Sequence, residues 1–141
     1  MKTLPLLCAS ALLAGLPTLA AAAPLPEPLV RCLVTYAGST HTVEARVVPD
    51  PYPVPAVDIG GRFRFKAVMV GQGTQVEYIK LYSYLETRRQ PVLVQQARYL
   101  PPFPAPRPGQ ESADLTGMQH LFAGPVEREL QYHCTLQGVQ P

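Results

Sequence analysis

The chain has 141 residues, 47% hydrophobic and only 16% charged, which is enough apolar material for the core of one domain and argues against global disorder. Its 17 prolines, 15 of them from Pro24 onward, argue against an all-helical fold because proline breaks helices. The formal net charge of +2 provides no electrostatic footprint for nucleic acid, so we expect no nucleic-acid partner.

Residues 1–22 have the pattern of a secretory signal peptide. Lys2 gives a positive start, residues 4–19 form an apolar stretch, and Ala20 to Ala23 are the small residues that a signal peptidase requires. We expect cleavage after Ala22, because a proline directly after the cut is unfavourable. No later apolar run approaches about 18 residues, so no transmembrane segment is expected in the mature chain. The sequence predicts a periplasmic or secreted protein.

Export leaves two cysteines, Cys32 and Cys134, because Cys8 lies inside the leader. A pair of cysteines in an oxidising compartment predicts one disulfide, here joining the first and last strands of the domain. The alternative is a reactive thiol at Cys134 beside His133. Adjacent residues of a strand point to opposite faces, which argues against activation of that thiol by His133.

After the leader, residues 23–28 are expected to form an extended proline-rich arm, and residues 29–141 a single β domain. Four prolines between residues 49 and 55 interrupt the strand pattern, residues 71–73 suit a hairpin loop, and residues 101–109 suit a polyproline-type connector. Alternation of apolar and polar residues predicts seven strands, at 29–36, 40–48, 62–70, 74–85, 92–100, 115–122 and 127–137.

Seven short strands with turn signals roughly every ten residues predict an antiparallel β-sandwich, immunoglobulin-like or related. A small closed β-barrel is the alternative. The chain has no tryptophan, and its cysteines fall on the terminal strands rather than on an inner pair. The order of the strands is therefore left open.

A row of cations is the most specific surface feature of the sequence. Arg62, Arg64 and Lys66 alternate along one predicted strand, so they should lie on one face, about 6 to 7 Å apart. Such a row suits an anionic glycan, phospholipid head groups or an acidic partner. Neutralisation by carboxylates such as Glu44 and Glu77 on neighbouring strands is the alternative.

Tyrosine is in surplus, and three of its seven copies fall on the next predicted strand. Tyr78, Tyr82 and Tyr84 share one face of that strand with Lys80. Tyrosine offers contact area with a polar tip, which suits a binding surface. It also packs well within sheets, so a core role is the alternative.

The sequence assigns no catalytic residue, no cofactor and no metal ligand. Met118 and His120 form a Met-x-His triplet that suits a soft metal such as Cu(I), although a core-edge methionine beside a surface histidine is the alternative. The histidines show no recognised metal spacing. No serine lies in a nucleophile elbow, and no pair of carboxylates stands out. We therefore do not expect an enzyme.

Three segments carry a resemblance: RFRFKAV (62–68), EYIKLYSYL (77–85) and ERELQYHC (127–134). Together they resemble small exported β-rich proteins of Gram-negative bacteria that lack an assigned function. The resemblance implies a periplasmic β protein and no catalytic residue. Small disulfide-bonded lysozyme inhibitors of the periplasm are similar in size and class.

These observations predict a non-catalytic periplasmic binding or accessory module that contacts a protein or an envelope component. Its candidate contacts are Arg62, Arg64, Lys66, Tyr78, Tyr82 and Tyr84. The alternative is a secreted inhibitor or immunity-type protein that acts on a hydrolase such as lysozyme or a protease, through the loop at 49–61 or the loop at 101–110.

Overall fold

The structure, a computed structural model, describes residues 22–24 and 26–139. The predicted signal peptide lies outside this range except for Ala22. The described residues form eight strands and no helix, which confirms the all-β class. The strands are β1 (Leu29–Tyr36), β2 (Ser39–Val48), β3 (Val57–Ile59), β4 (Phe63–Gln72), β5 (Gln75–Leu85), β6 (Val92–Tyr99), β7 (Ser112–Ala123) and β8 (Arg128–Gln137).

All eight strands belong to one sheet, in the order β6-β5-β4-β2-β1-β8-β7, with β3 also paired to β4. The sheet is mixed, because β2 and β4 run parallel where Val47 and Val48 meet Met69 and Val70. It curls into a nearly closed barrel. The two-sheet sandwich is therefore not confirmed, and the small barrel, the stated alternative, fits.

One core fills the inside of the curled sheet, since alternate residues of each strand point into it. Phe65 of β4 and Tyr132 of β8 meet there with ring centroids 5.0 Å apart. Tyr132 is only 1% exposed, and its hydroxyl donates to Gln95 Oε1 of β6 at 2.8 Å. Burial, together with the nearby Tyr99, raises the pKa of Tyr132 to about 12. The hydrogen bond satisfies the one polar group of this buried phenol.

The predicted disulfide is present. Strands β1 and β8 are neighbours, and their register places Cys32 directly opposite Cys134. The two sulfur atoms are bonded, and both residues are fully buried. The first and last strands are thus joined covalently as well as by the sheet.

The structure corrects several predicted boundaries. Strand β3 was not expected, because it follows directly after the prolines of residues 49–55. The predicted loop at 71–73 is also wrong: β4 continues to Gln72, and Gly73 and Thr74 form the turn. Gly71 lies inside β4 at a register shift, where a Cβ would collide with the main-chain oxygen of Gln75. A glycine at this position thus marks a close approach of two strands.

The proline-rich segments pack onto the barrel. In the connector at 101–111, Phe103 is buried in the core. In the arm before β1, Pro28 is buried and Glu27 forms an ion pair with Arg46 of β2 at 3.0 Å. Gly138 lies so close to the main chain of Glu27 that a Cβ would collide with it. The described part of the arm therefore rests on its own domain.

Candidate functional site

The candidate site lies on the outer side of strands β4, β5 and β6. Strand β5 lies between the other two, and its residues alternate between the core and the outside. Ile79, Leu81 and Ser83 are buried on the inner side. The outer side presents half-buried side chains, namely Tyr78, Lys80, Tyr82 and Tyr84.

The register of the sheet sets cations beside these tyrosines. Arg64 and Lys66 of β4 are opposite Tyr84 and Tyr82, respectively. On the other side of β5, Lys80 is opposite Arg98 of β6. We call this surface the basic tyrosine face; it consists of Arg64, Lys66, Tyr78, Lys80, Tyr82, Tyr84 and Arg98.

Two tyrosines of the face form a stacked pair. The ring centroids of Tyr82 and Tyr84 are 6.2 Å apart, and the ring planes differ by 15°. Lys66 Nζ lies 5.9 Å from the centroid of Tyr82. Partial burial, and to a lesser extent the neighbouring Tyr82, raise the pKa of Tyr84 above its ordinary value. The Tyr84 phenol therefore keeps its proton at neutral pH.

The third tyrosine is flanked by two cations. Lys80 Nζ and Arg98 Cζ each lie 5.4 Å from the ring centroid of Tyr78. Both cations are attracted by the ring, but they are also directly opposite each other across the two strands. Like charges in that relation repel. This part of the face therefore attracts negative charge.

Few carboxylates offset the charge of the face. Arg64 is paired with Glu86, but no ion pair within residues 22–24 and 26–139 includes Lys66, Lys80 or Arg98. The ammonium group of Lys66 instead donates to the main-chain oxygen of Pro51 at 3.3 Å. Three cations of the face thus have no carboxylate partner in the described part of the chain.

Neutralisation of the cation row by Glu44, which was part of the alternative interpretation, is wrong. Glu44 pairs with Arg31 across β1 and β2, at 2.7 Å. Glu77 takes part in no ion pair among the described residues. The alternation that places a carboxylate on a strand does not reveal which strand is its neighbour. Strand β2 pairs with β4 only at Val47 and Val48.

Five of the six candidate contacts come together on the basic tyrosine face. The exception is Arg62, which does not continue the row of cations along β4 because it lies in the turn before that strand. Arg98 was not predicted as a contact from the sequence. Arg98 and Gln96 are two residues apart on a predicted strand, which indicates that their side chains share a face. The pairing of Arg98 with Lys80, however, depends on the register across the turn at 86–91. That register cannot be read from a polar turn.

Both side chains of the Met-x-His triplet, Met118 and His120, lie at the surface of β7. Met118 is exposed, and His120 Nδ1 lies 2.7 Å from Glu129 Oε1. The hydrogen bond from His120 holds the pKa of Glu129 below its usual range. Among the residues that the structure describes, no three His, Cys, Asp or Glu side chains are placed to hold a metal ion.

His133 is likewise engaged with a carboxylate, and it does not act on Cys134. Its Nε2 lies 3.1 Å from Asp114 Oδ1. The pKa of Asp114 is lowered first by the hydrogen bond from the Gly117 amide and further by His133. Cys134 is bonded to Cys32, so the alternative of a reactive thiol is wrong.

A cavity of about 940 Å³ opens at the end of the barrel beside the β4–β5 turn. Its apolar lining includes Val76, Phe103 and Val139, and its acidic lining consists of Glu77 and Glu111. Both carboxylates are exposed. This cavity is acidic where the face is basic, so the two surfaces favour ligands of opposite charge.

Comparisons with models of protein families, with curated proteins and with solved structures find no match to the chain. Within the described residues there is no helix of the length and hydropathy needed to cross a bilayer. A proposal for the function therefore has to be made from the geometry and charge of the basic tyrosine face.

Proposed function

We propose that the protein is a non-catalytic, exported binding module that holds an anionic envelope component on its basic tyrosine face. The observation that carries the proposal is the opposed pair Lys80 and Arg98, which share Tyr78 and have no carboxylate partner within the described chain. Two like charges held opposite each other cost free energy. An anion placed between them removes that cost and gains charge-assisted hydrogen bonds.

Export is supported by the predicted signal peptide and by the buried disulfide between Cys32 and Cys134. Disulfides persist in oxidising compartments such as the periplasm and the exterior of the cell. The proposed location is therefore periplasmic or secreted. An envelope polymer that carries negative charge would be within reach of the protein in either place.

The test compares two charge-matched variants of the purified protein. Lys80→Gln/Arg98→Gln removes the opposed cations, and Arg31→Gln/Arg107→Gln removes two positive charges elsewhere, on β1 and in the connector. The probes are sodium polyphosphate and polygalacturonate, titrated calorimetrically at low ionic strength. We expect the first variant to lose about tenfold in affinity for at least one probe, as the loss of charge-assisted contacts implies.

The control variant should bind within about twofold of the wild-type protein, because it loses the same net charge without touching the face. The proposal fails if neither polyanion binds the wild-type protein. It also fails if both variants lose affinity equally, since net charge alone would then explain the binding.

The inhibitor hypothesis is favoured by a different observation. Tyr52 is 90% exposed at the tip of the loop at 49–56. The loop is ordered by hydrogen bonds from the Tyr52 amide to Asp50 Oδ1 and from the Val54 amide to the Pro51 oxygen. An exposed aromatic ring on an ordered loop is typical of an anchor in a protein interface.

On this second hypothesis the protein inhibits a hydrolase stoichiometrically, and Tyr52→Ala abolishes the inhibition while Lys80→Gln/Arg98→Gln does not. A panel of lysozymes and proteases assayed at high molar excess of the protein checks this. Unchanged activity throughout the panel would exclude the inhibitor hypothesis.

A further inference from the structure

We infer that the ligand of the basic tyrosine face is an acidic polysaccharide, laid across the outer side of β4, β5 and β6. This inference rests on the proposed function and adds the class of ligand. It is drawn from how ring faces and charges alternate on the face, because that pattern selects among anions. Charge alone would suit any of them.

The face is long enough for a polymer. From Tyr78 to Tyr84 the strand advances by six residues, or about 20 Å at the usual rise of a β-strand. Cations lie on both sides of this line, with Lys66 on β4 and Arg98 on β6. A single small anion would engage one end of such a surface, whereas an extended chain engages all of it.

The rings select a ligand that itself has rings. Tyr82 and Tyr84 are stacked and only half-buried, so part of their apolar surface remains available. Sugar rings present apolar C–H groups that pack on aromatic rings, and their hydroxyl groups accept hydrogen bonds from phenols. Polyphosphate and acidic peptide segments without aromatic residues would use the cations and leave the ring faces of the tyrosines unused.

The spacing of the charges favours a sugar polymer over single-stranded nucleic acid. Proteins that bind single strands combine stacking rings with a basic groove that follows every phosphate. On the basic tyrosine face, only three cations have no carboxylate partner in the described chain, namely Lys66, Lys80 and Arg98. They lie among neutral tyrosines, and the chain carries a net charge of only +2. A polysaccharide whose acidic groups are separated by neutral ring surface matches that pattern.

The experiment measures binding of three probes to the purified protein: polygalacturonate, sodium polyphosphate and an oligodeoxythymidylate of similar length. Binding is followed by tyrosine emission, which is readily observed because the chain has 7 tyrosines and no tryptophan. The variants are Tyr82→Ala/Tyr84→Ala, which removes the stacked rings, and Tyr82→Phe/Tyr84→Phe, which keeps them.

We expect polygalacturonate to bind more tightly than either other probe. The alanine pair should weaken polygalacturonate by about tenfold or more, in the range that loss of aromatic stacking gives for other polymers. The same pair should leave polyphosphate within about twofold, because the cations remain. The phenylalanine pair should bind polygalacturonate within about threefold of the wild-type protein, since it retains the ring faces.

Each other outcome counts against part of the account. Binding of polyphosphate as tight as that of polygalacturonate, with no effect of the alanine pair, overturns the inference and leaves the proposed function standing. Tighter binding of the oligonucleotide also overturns the ligand class. If the phenylalanine pair loses as much affinity as the alanine pair, ring stacking is not the cause. Failure of all three probes to bind overturns the proposed function with the inference.

Discussion

Two residues on neighbouring strands carry the functional proposal. Lys80 and Arg98 lie opposite each other in the β5–β6 register, and each approaches the ring of Tyr78 to 5.4 Å. The attraction of the ring and the mutual repulsion of the cations act against each other. Because repulsion at the surface is screened by salt and packing on the ring is not, ionic strength separates the two contributions.

We therefore predict that Arg98→Gln changes the free energy of unfolding in a salt-dependent way. Removing Arg98 relieves a repulsion that is strongest at low salt. The free energy of unfolding of the variant, relative to that of the wild-type protein, should therefore be higher at low salt than at high salt by roughly 0.5 kcal/mol. Urea denaturation at two ionic strengths measures this difference. An opposite salt dependence would mean that Arg98 is already neutralised by a carboxylate, and would contradict the proposed binding of an anion between Lys80 and Arg98.

Because Tyr132 is buried, we expect the stability of the protein to fall at alkaline pH. Burial raises its pKa from 10.0 in the unfolded chain to about 12 in the fold. A group with a raised folded pKa contributes stability that is fully present below the unfolded pKa and is lost as the pH rises through the folded value. The loss should therefore occur between about pH 10 and pH 12, and amounts to roughly 3 kcal/mol for a shift of this size.

The prediction is that the wild-type protein loses stability over this range more steeply than Tyr132→Phe. The variant removes the titrating phenol, at a cost of about 1 kcal/mol for the hydrogen bond to Gln95. Chemical denaturation from pH 9 to pH 12 gives both slopes. Parallel slopes would show that the pKa of Tyr132 does not differ between the folded and the unfolded chain, and would contradict the prediction.

At the scale of the strands, the alternation of residue types was a reliable guide. The predicted strand at 29–36 has the observed bounds of β1, and the inward residues of β8 (Leu130, Tyr132, Cys134 and Leu136) are all buried. Strand β3 was hidden because it has only three residues and follows a run of prolines. Its partner is the edge of β4 that β2 leaves free, and such a pairing depends on tertiary contacts.

The site could be predicted only in part for the same reason. Alternation placed Arg64, Lys66 and the tyrosines on outer faces, but it did not establish that β4 and β6 flank β5 in a register that sets Lys80 against Arg98. Register across a long polar turn is determined by packing on both strands. Local sequence thus indicated the residues, and the sheet determined which of them meet.

The disulfide makes a prediction at the scale of β1 and β8. It joins residues that are 102 positions apart, so it closes nearly the whole domain into a loop and restricts the unfolded chain. We expect Cys32→Ala/Cys134→Ala to lose about 2 to 5 kcal/mol of unfolding free energy. Urea denaturation of the variant beside the wild-type protein under oxidising conditions measures the loss. An unchanged midpoint would show that pairing of the two strands alone accounts for the stability.

The molecule as a whole explains why fold class was predictable and architecture was not. A sandwich and a small barrel share the same alternation along each strand, because both bury one side of the sheet. The difference lies in whether one sheet curls or two sheets pack, which depends on strand order and on the parallel contact between β2 and β4. No residue pattern along the chain encodes that contact.

The curled sheet also keeps the proposed binding surface apart from the disulfide. The basic tyrosine face occupies β4, β5 and β6, and the disulfide joins β1 and β8, beyond β2 in the strand order. The proposed binding surface and the disulfide therefore lie in different parts of the same sheet. A change on one side should be felt little on the other, since distant sites act independently.

The most direct measurement is a map of chemical-shift changes in the ¹⁵N-labelled protein titrated with an acidic oligosaccharide, oligogalacturonate. We predict that the largest changes fall on the amides of Lys66, Tyr78 to Tyr84, and Gln96 to Arg98, and that they vanish in Lys80→Gln/Arg98→Gln. Changes concentrated instead on β1, β7 and β8, or unaltered in that variant, would contradict the assignment of the binding site to the basic tyrosine face.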